Sequence, residues 1–161
     1  MLRVRVVTRL PSAPVAVTWS APVRYSECDD QRVVFNANYL VWADEASNAW
    51  WPSVGLTWDP DGVAGVQPMV KASSLEWTAS ARWGDVVDVV CALDSLGRTS
   101  LTLRFTVSVG GRLCCVVRTT YVATSDGVAV PGPTSSGPRS EPAERRQIPA
   151  RNREEPTGTS K

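Results

Sequence analysis

Between residues 66 and 124 the chain reads as four extended stretches with only short connections between them, and no other feature limits its possible folds as much. The stretches cover residues 66–78, 85–96, 99–109 and 113–124, and each is rich in Val and Thr. Turn residues separate them: Trp83-Gly84-Asp85, Leu96-Gly97-Arg98 and Gly110-Gly111. A parallel crossover needs a dozen or more residues, so connections this short impose antiparallel pairing.

Upstream of this run lies a single helical pattern. Tyr39, Trp42, Ala43, Ala46, Ala49 and Trp50 recur at helical spacing, and Pro52 with Gly55 marks the end at about residue 53. Asn36 or Asn38 is expected to cap its start. At about 1.5 Å per residue such a helix is roughly 24 Å long, enough to cross a small sheet. Before it, residues 15–26 alternate at Val15, Val17 and Trp19 and then meet Pro22, as in an edge strand or a bulge. The expected architecture is therefore α+β, one long helix against an antiparallel sheet. A lone sheet of this kind has exposed edges, which favours edge-to-edge dimerisation.

The chain has 161 residues, of which 43% are hydrophobic, and that is enough for one domain with a real core. A formal net charge of +1 argues against a nucleic-acid surface. No segment approaches the roughly 20 apolar residues of a membrane span, and residues 1–17 lack an apolar run of signal-peptide length, so a cytoplasmic protein is expected. Cys28, Cys91, Cys114 and Cys115 include no CxxC pair and are read as thiols in a reducing compartment, with adjacent Cys114 and Cys115 on opposite faces of one strand. The domain is expected to span residues 15–130. An N-terminal extension of residues 1–14 precedes it, with an alternating LRVRVV run. Residues 131–161 hold six prolines, six basic and four acidic residues and no aromatic one, the composition of a disordered tail.

The chain contains no histidine. That excludes Ser-His-Asp and Cys-His nucleophilic sites and any metal site that uses imidazole. If the protein is an enzyme, a carboxylate carries its proton or nucleophile chemistry. The stretch from Glu27 to Tyr39 sets Glu27, Asp29 and Asp30 just ahead of an apolar loop, Val33-Val34-Phe35, and the helix start. A helix N-terminus offers unpaired N–H groups to a developing oxyanion, and a nearby carboxylate serves as nucleophile or general base, a pairing that suits acyl transfer. On the residues alone, Asp29 serves equally as a loop cap, Asn36 as a helix cap and Arg98 as a solvated turn residue. Glu27 and Asp30 read as solvated or ion-paired neighbours. Trp42, Trp50 and Trp51 read as core or pocket wall.

The runs Val23-Arg24-Tyr25-Ser26-Glu27-Cys28-Asp29 and Val33-Val34-Phe35-Asn36-Ala37-Asn38-Tyr39-Leu40, followed by Trp42, resemble the opening signature of hotdog-fold acyl-CoA thioesterases of the 4-hydroxybenzoyl-CoA thioesterase type. Arg82-Trp83-Gly84-Asp85 and Gly97-Arg98-Thr99-Ser100-Leu101 resemble the later Gly-Asp turn and arginine-serine hairpin of that family. The resemblance covers about residues 15 to 125.

It implies a five-stranded antiparallel sheet wrapped around the central helix, in a homodimer or homotetramer with active sites between subunits. It further implies hydrolysis of an acyl-CoA or acyl-carrier-protein thioester without metal or organic cofactor. Asp29 matches the catalytic carboxylate, and the N–H around Asn36 would polarise the thioester carbonyl. Val34, Phe35 and Tyr39 would contact substrate, and Arg98 with Ser100 would lie near the coenzyme A phosphates, where a guanidinium binds oxygens bidentately. Two positions depart from the family. Arg32 stands where the family usually has Gly, at a point where positive φ is easy for glycine and costly for arginine. Asn36 stands where many relatives carry His, and an amide donates a hydrogen bond without exchanging a proton. The alternative is a non-catalytic hotdog module that binds acyl thioesters or serves as an assembly unit; a hotdog hydratase is a third reading.

Overall fold

The computed structural model describes residues 16–132. The extension of residues 1–14 and nearly all of the expected tail lie outside the described residues. In chain order the elements are β1 (Trp19–Pro22), a 3-10 turn (Tyr25–Glu27), α1 (Asn38–Ser53), β2 (Trp58–Asp59), β3 (Gly62–Val63), β4 (Gln67–Trp77), β5 (Val86–Leu96), β6 (Ser100–Val109), β7 (Arg112–Ser125) and β8 (Val128–Ala129). The main sheet runs β1-β5-β6-β7-β4 with every pair antiparallel, and β8 adds two residues to β7. This is the five-stranded sheet around one helix that the resemblance implies. It leaves β4 as an edge eleven residues long.

The core follows the period-2 alternation of the central strands. Val87, Val89 and Cys91 on β5 and Leu103, Phe105 and Val107 on β6 are buried, while Asp88, Val90, Arg104 and Thr106 between them are half exposed. The outward face carries Arg104 and Arg118, which share Asp94, with Glu76 beside Arg118. On β7 the alternation breaks. Pairing jumps from Val107–Cys115 to Ser108–Leu113, so Cys114 is an extra residue in a β-bulge, and both Cys114 and Cys115 are buried. The expected split of these two cysteines between opposite faces is thus not reflected in their burial.

Helix α1 lays Tyr39, Trp42, Ala43, Ala46, Ser47 and Trp51 on the sheet. The alanines let the backbone approach β5, β6 and β7 closely, and the aromatic rings fill the space at either end. The helix ends at Ser53 as expected, with Gly55 at φ +81° and Pro52 in the last turn.

Its start differs from expectation. Ala37 occupies the N-cap position with no side-chain bond. Asn38 lies inside the helix, and its side chain donates to the Glu27 carbonyl instead of capping.

Strand β1 is also shorter than the 15–26 stretch suggests. Pro22 ends it, and the chain turns into the 3-10 segment because the Glu27 carboxylate folds back onto the Arg24 N–H at 2.7 Å. The β2/β3 hairpin carries no alternating pattern, although its Asp59-Pro60-Asp61-Gly62 connection is a turn signal that sequence reasoning missed. It depends on Gly62, at φ +107°, where a Cβ would collide with the Val66 carbonyl.

Candidate active site

The Asp29 loop is built from its own backbone. Cys28 and Val34 pair in an isolated antiparallel bridge. Inside it the Asp29 N–H donates to the Val33 carbonyl at 2.9 Å, and the Arg32 N–H donates to the Asp29 carbonyl at 3.0 Å. The Asp29 side chain adds an Asx turn, in which the Gln31 N–H donates to Oδ1 at 2.9 Å. One carboxylate oxygen is thereby fixed. Among the described residues no hydrogen bond reaches the other oxygen, Oδ2.

Closing so tight a loop requires a left-handed residue, and Arg32 supplies it at φ +61°. That conformation costs an L-residue roughly 1–2 kcal/mol, partly offset by the smaller backbone entropy that arginine loses relative to glycine. Arg32→Gly is accordingly expected to raise stability by up to about 1 kcal/mol and Arg32→Ala to leave it nearly unchanged, as read from denaturant midpoints.

On the other strand of the bridge the Val34 N–H donates to the Ala81 carbonyl and the Phe35 N–H to the Glu27 carbonyl, both at 2.9 Å. The next two N–H groups, of Asn36 and Ala37, have no acceptor among the described residues. They stand at the positive end of α1, where unpaired N–H groups can donate to a negative charge. A cavity of about 650 Å³ opens at the loop, lined by Tyr25, Cys28, Asp29, Asp30, Arg32 and Trp83. Tyr25 and Trp83 form an exposed edge-to-face pair with ring centroids 5.8 Å apart.

Of the two expected readings of Glu27, solvated or ion-paired, the structure shows the second, a pair with Arg24. Glu27 is only 6% exposed. The Arg24 Nη2 and Nε donate to its Oε1 at 2.9 and 3.2 Å, as does the Trp42 Nε1 at 3.1 Å. Burial alone pushes the Glu27 carboxyl up, but the hydrogen bonds from Arg24 and Trp42 together with the guanidinium charge hold it below the ordinary 4.5. It is thus charged at neutral pH, and its share of stability is present above the unfolded-state value and lost as pH falls through its lower folded value.

The other expected site residues separate into two groups. Val34 is buried beneath the loop, and Phe35 is half exposed beside it. Asn36 is exposed at the helix start. Tyr39 is buried to 1% exposure; its hydroxyl accepts the Ala81 N–H at 3.0 Å and its ring packs on Trp42 and Trp77, so it supports the loop from within the core. Arg98 and Ser100 sit at the opposite end of β5. Val23 bonds to Asp85 just before that strand begins, and Arg98 follows its last residue, Leu96. Eleven residues of strand place the two ends roughly 30 Å apart. A single protomer does not bring Arg98 to Asp29.

Sequence reasoning missed the burial of Glu27 and the positions of Tyr25 and Trp83 on the cavity. Trp83 carried a signal, an aromatic inside the Trp83-Gly84-Asp85 turn where no core strand would use it, whereas Tyr25 fell within the stretch expected as a strand.

The remaining thiols are poor nucleophiles. Burial pushes Cys91 up to about 12 and Cys115 to about 11. Among the described residues no group of three or more Cys, Asp or Glu side chains is arranged to hold a metal ion.

A scan against protein-family models matches residues 23–133 to the thioesterase-like superfamily. Comparison with curated proteins finds no match. Among solved structures, a hypothetical protein from Thermus thermophilus is 28% identical, with a TM-score of 0.69 over 74% of this chain and 92% of that one. A thioesterase complexed with coenzyme A and Zn, also from Thermus thermophilus, is 23% identical, with a TM-score of 0.64 over 73% of this chain and 85% of that one. The 4-hydroxybenzoyl-CoA thioesterase from Pseudomonas sp. strain CBS-3 is 21% identical, with a TM-score of 0.65 over 71% of this chain and 91% of that one. At these last two identities the likeness is one of fold.

Proposed function

Because the chain belongs to the thioesterase-like superfamily and is a thioester hydrolase, we propose that its substrates are acyl-coenzyme A or acyl-carrier-protein thioesters and that Asp29 is the catalytic carboxylate. The observation that carries this reading is the disposition of Asp29. It lines the cavity with Oδ1 held by Gln31 and Oδ2 free, one residue beyond the Cys28–Val34 bridge. The free N–H groups of Asn36 and Ala37 stand two and three residues from the same bridge. The thioester carbonyl oxygen accepts from these donors, which stabilise the charge that develops on it. Oδ2 then either attacks the carbonyl carbon or takes a proton from a water that attacks it. The C–S bond breaks in both cases and the thiolate leaves; activated water gives the free acid directly, whereas direct attack leaves the acyl group on Asp29 as a mixed anhydride that a water then hydrolyses to the acid and the free carboxylate. With Asn36 unable to supply a proton, water protonates the thiolate, which is a good leaving group.

The working unit in this reading is a homo-oligomer, a dimer or a tetramer. The long β4 edge exposes Met69, Val70 and Trp77, and Arg98 is too far from Asp29 to serve the same site within one protomer. A second copy offers its own Arg98 to the phosphates of coenzyme A. Tyr25 and Trp83 provide an aromatic wall for the acyl group or its linker. Among the described residues no helix is long and apolar enough to cross a membrane.

The test is thiol release across aromatic, short-chain and long-chain acyl-CoA esters and the same acyl groups on a carrier protein. Turnover of at least one class, abolished by Asp29→Asn, is expected. Hydrolysis that survives this substitution overturns the assignment of Asp29.

A further inference from the structure

Glu27 lies two residues before Asp29, yet its side chain does not line the Asp29 cavity. It points the other way, into the space between the 3-10 turn and α1, and is almost fully buried. Burying a carboxylate is costly unless its oxygens are satisfied, and here they take four hydrogen bonds, three from Arg24 and one from Trp42. The backbone of the same residue is bonded too. Its carbonyl accepts from the Phe35 N–H at 2.9 Å and from the Asn38 Nδ2 at 2.8 Å.

One residue therefore ties together three segments: the 3-10 turn through Arg24, the approach to α1 through Phe35, and the first turns of α1 through Asn38 and Trp42. The loop that carries Asp29 starts immediately after it. The helix start that carries the free N–H groups of Asn36 and Ala37 lies between two of its partners. No other residue in the loop bonds to both sides of the site.

We infer that Glu27 is a positioning residue for the hydrolysis, fixing the Asp29 carboxylate against the helix start through its side chain to Trp42 and its carbonyl to Asn38 and Phe35. This rests on the reading of Asp29 as the catalytic carboxylate. Charge is essential to the clamp, because every group hydrogen-bonded to the Glu27 carboxylate is a donor, although Glu45 lines the same cleft. A neutral amide in its place turns two hydrogens toward Arg24, which has no acceptor to offer them there. Loosening the clamp misaligns attack without altering the cavity wall, so the loss falls on kcat and not on KM.

The experiment measures kcat and KM on the best acyl-CoA ester for Glu27→Gln, Asn38→Ala, Asp29→Asn and the double variant Asp29→Asn/Glu27→Gln, each well below its unfolding temperature. Asn38→Ala removes only the tie to the carbonyl and keeps a helix-favouring residue, so it provides a folded variant if Glu27→Gln does not fold. The expected result is a fall in kcat of at least about tenfold for Glu27→Gln and severalfold for Asn38→Ala, with KM within about twofold. The double variant should be no slower than Asp29→Asn alone, since misplacing a carboxylate that is already gone has no further cost. An inactive Asp29→Asn beside a Glu27→Gln enzyme of wild-type kcat overturns the positioning role and leaves the Asp29 reading standing. Full additivity in the double variant also overturns it, since Glu27 would then act independently of Asp29. An active Asp29→Asn enzyme overturns both.

Discussion

Asp29→Asn is expected to lower thioester turnover by at least about a hundredfold, equivalent to about 2.7 kcal/mol of transition-state stabilisation, while the fold and substrate binding change little. The structure explains why the effect should be confined to chemistry. Asparagine keeps an oxygen that can accept the Gln31 N–H, so the Asx turn and the Arg32 backbone conformation persist. What disappears is the nucleophilic or basic oxygen at Oδ2. The carboxylate makes no ion pair among the described residues that its loss would break, so the melting temperature should hold. The check is steady-state kinetics on the preferred ester beside thermal unfolding of the same preparation. A parallel loss of stability and activity would point to a structural carboxylate instead.

Much of this arrangement was legible in the sequence, and the parts that were not share a physical cause. Four long strands and one helix were readable because each repeats its period over ten or more residues, long enough for alternation or helical spacing to outweigh single exceptions. Their ends fell within a residue or two of the observed ones, since Gly84, Gly97 and Gly110-Gly111 sit where the chain must turn. Features decided by one or two tertiary bonds were not readable. Asn38 has the chemistry of a helix cap, but the Glu27 carbonyl claims its amide. Glu27 has the chemistry of a surface residue, but Trp42, fifteen positions on, donates to it from the core. The Cys114 bulge leaves no trace in composition because it arises from a mismatch in length between β6 and β7.

Arg32 shows the opposite case. The resemblance marks its position as one that favours glycine, and the chain takes the left-handed conformation there in spite of its side chain. Loop geometry is evidently retained at the cost of local strain, as expected where that geometry orients a reacting group. For Asp29, Asn36 and Arg98 residue type and position were readable, but proximity was not. Only the path of β5 reveals that the first two share one end of the protomer and the third stands at the other.

That separation leads to the second large effect. If the active site draws Arg98 from a neighbouring copy, a monomer should be nearly inactive even when it is fully folded. The surface available for pairing is the β4 edge, where Met69 and Val70 are each more than half exposed and the backbone has no neighbouring strand on its outer side among the described residues. In a two-fold pairing of this edge each residue meets the same patch of the other copy, so one substitution acts twice. Met69→Lys/Val70→Lys introduces four positive charges across such an interface and none into the core, which is the device natural sheets use to keep edges apart. The expected outcome is a monomer by light scattering, a circular dichroism spectrum like that of the parent, and turnover reduced by at least about a hundredfold. The parent protein should scatter as a dimer or larger at the same concentration. A charged variant that is monomeric and fully active would show that Asp29 and the helix start complete the site within one chain, and Arg98 would then have no part in it.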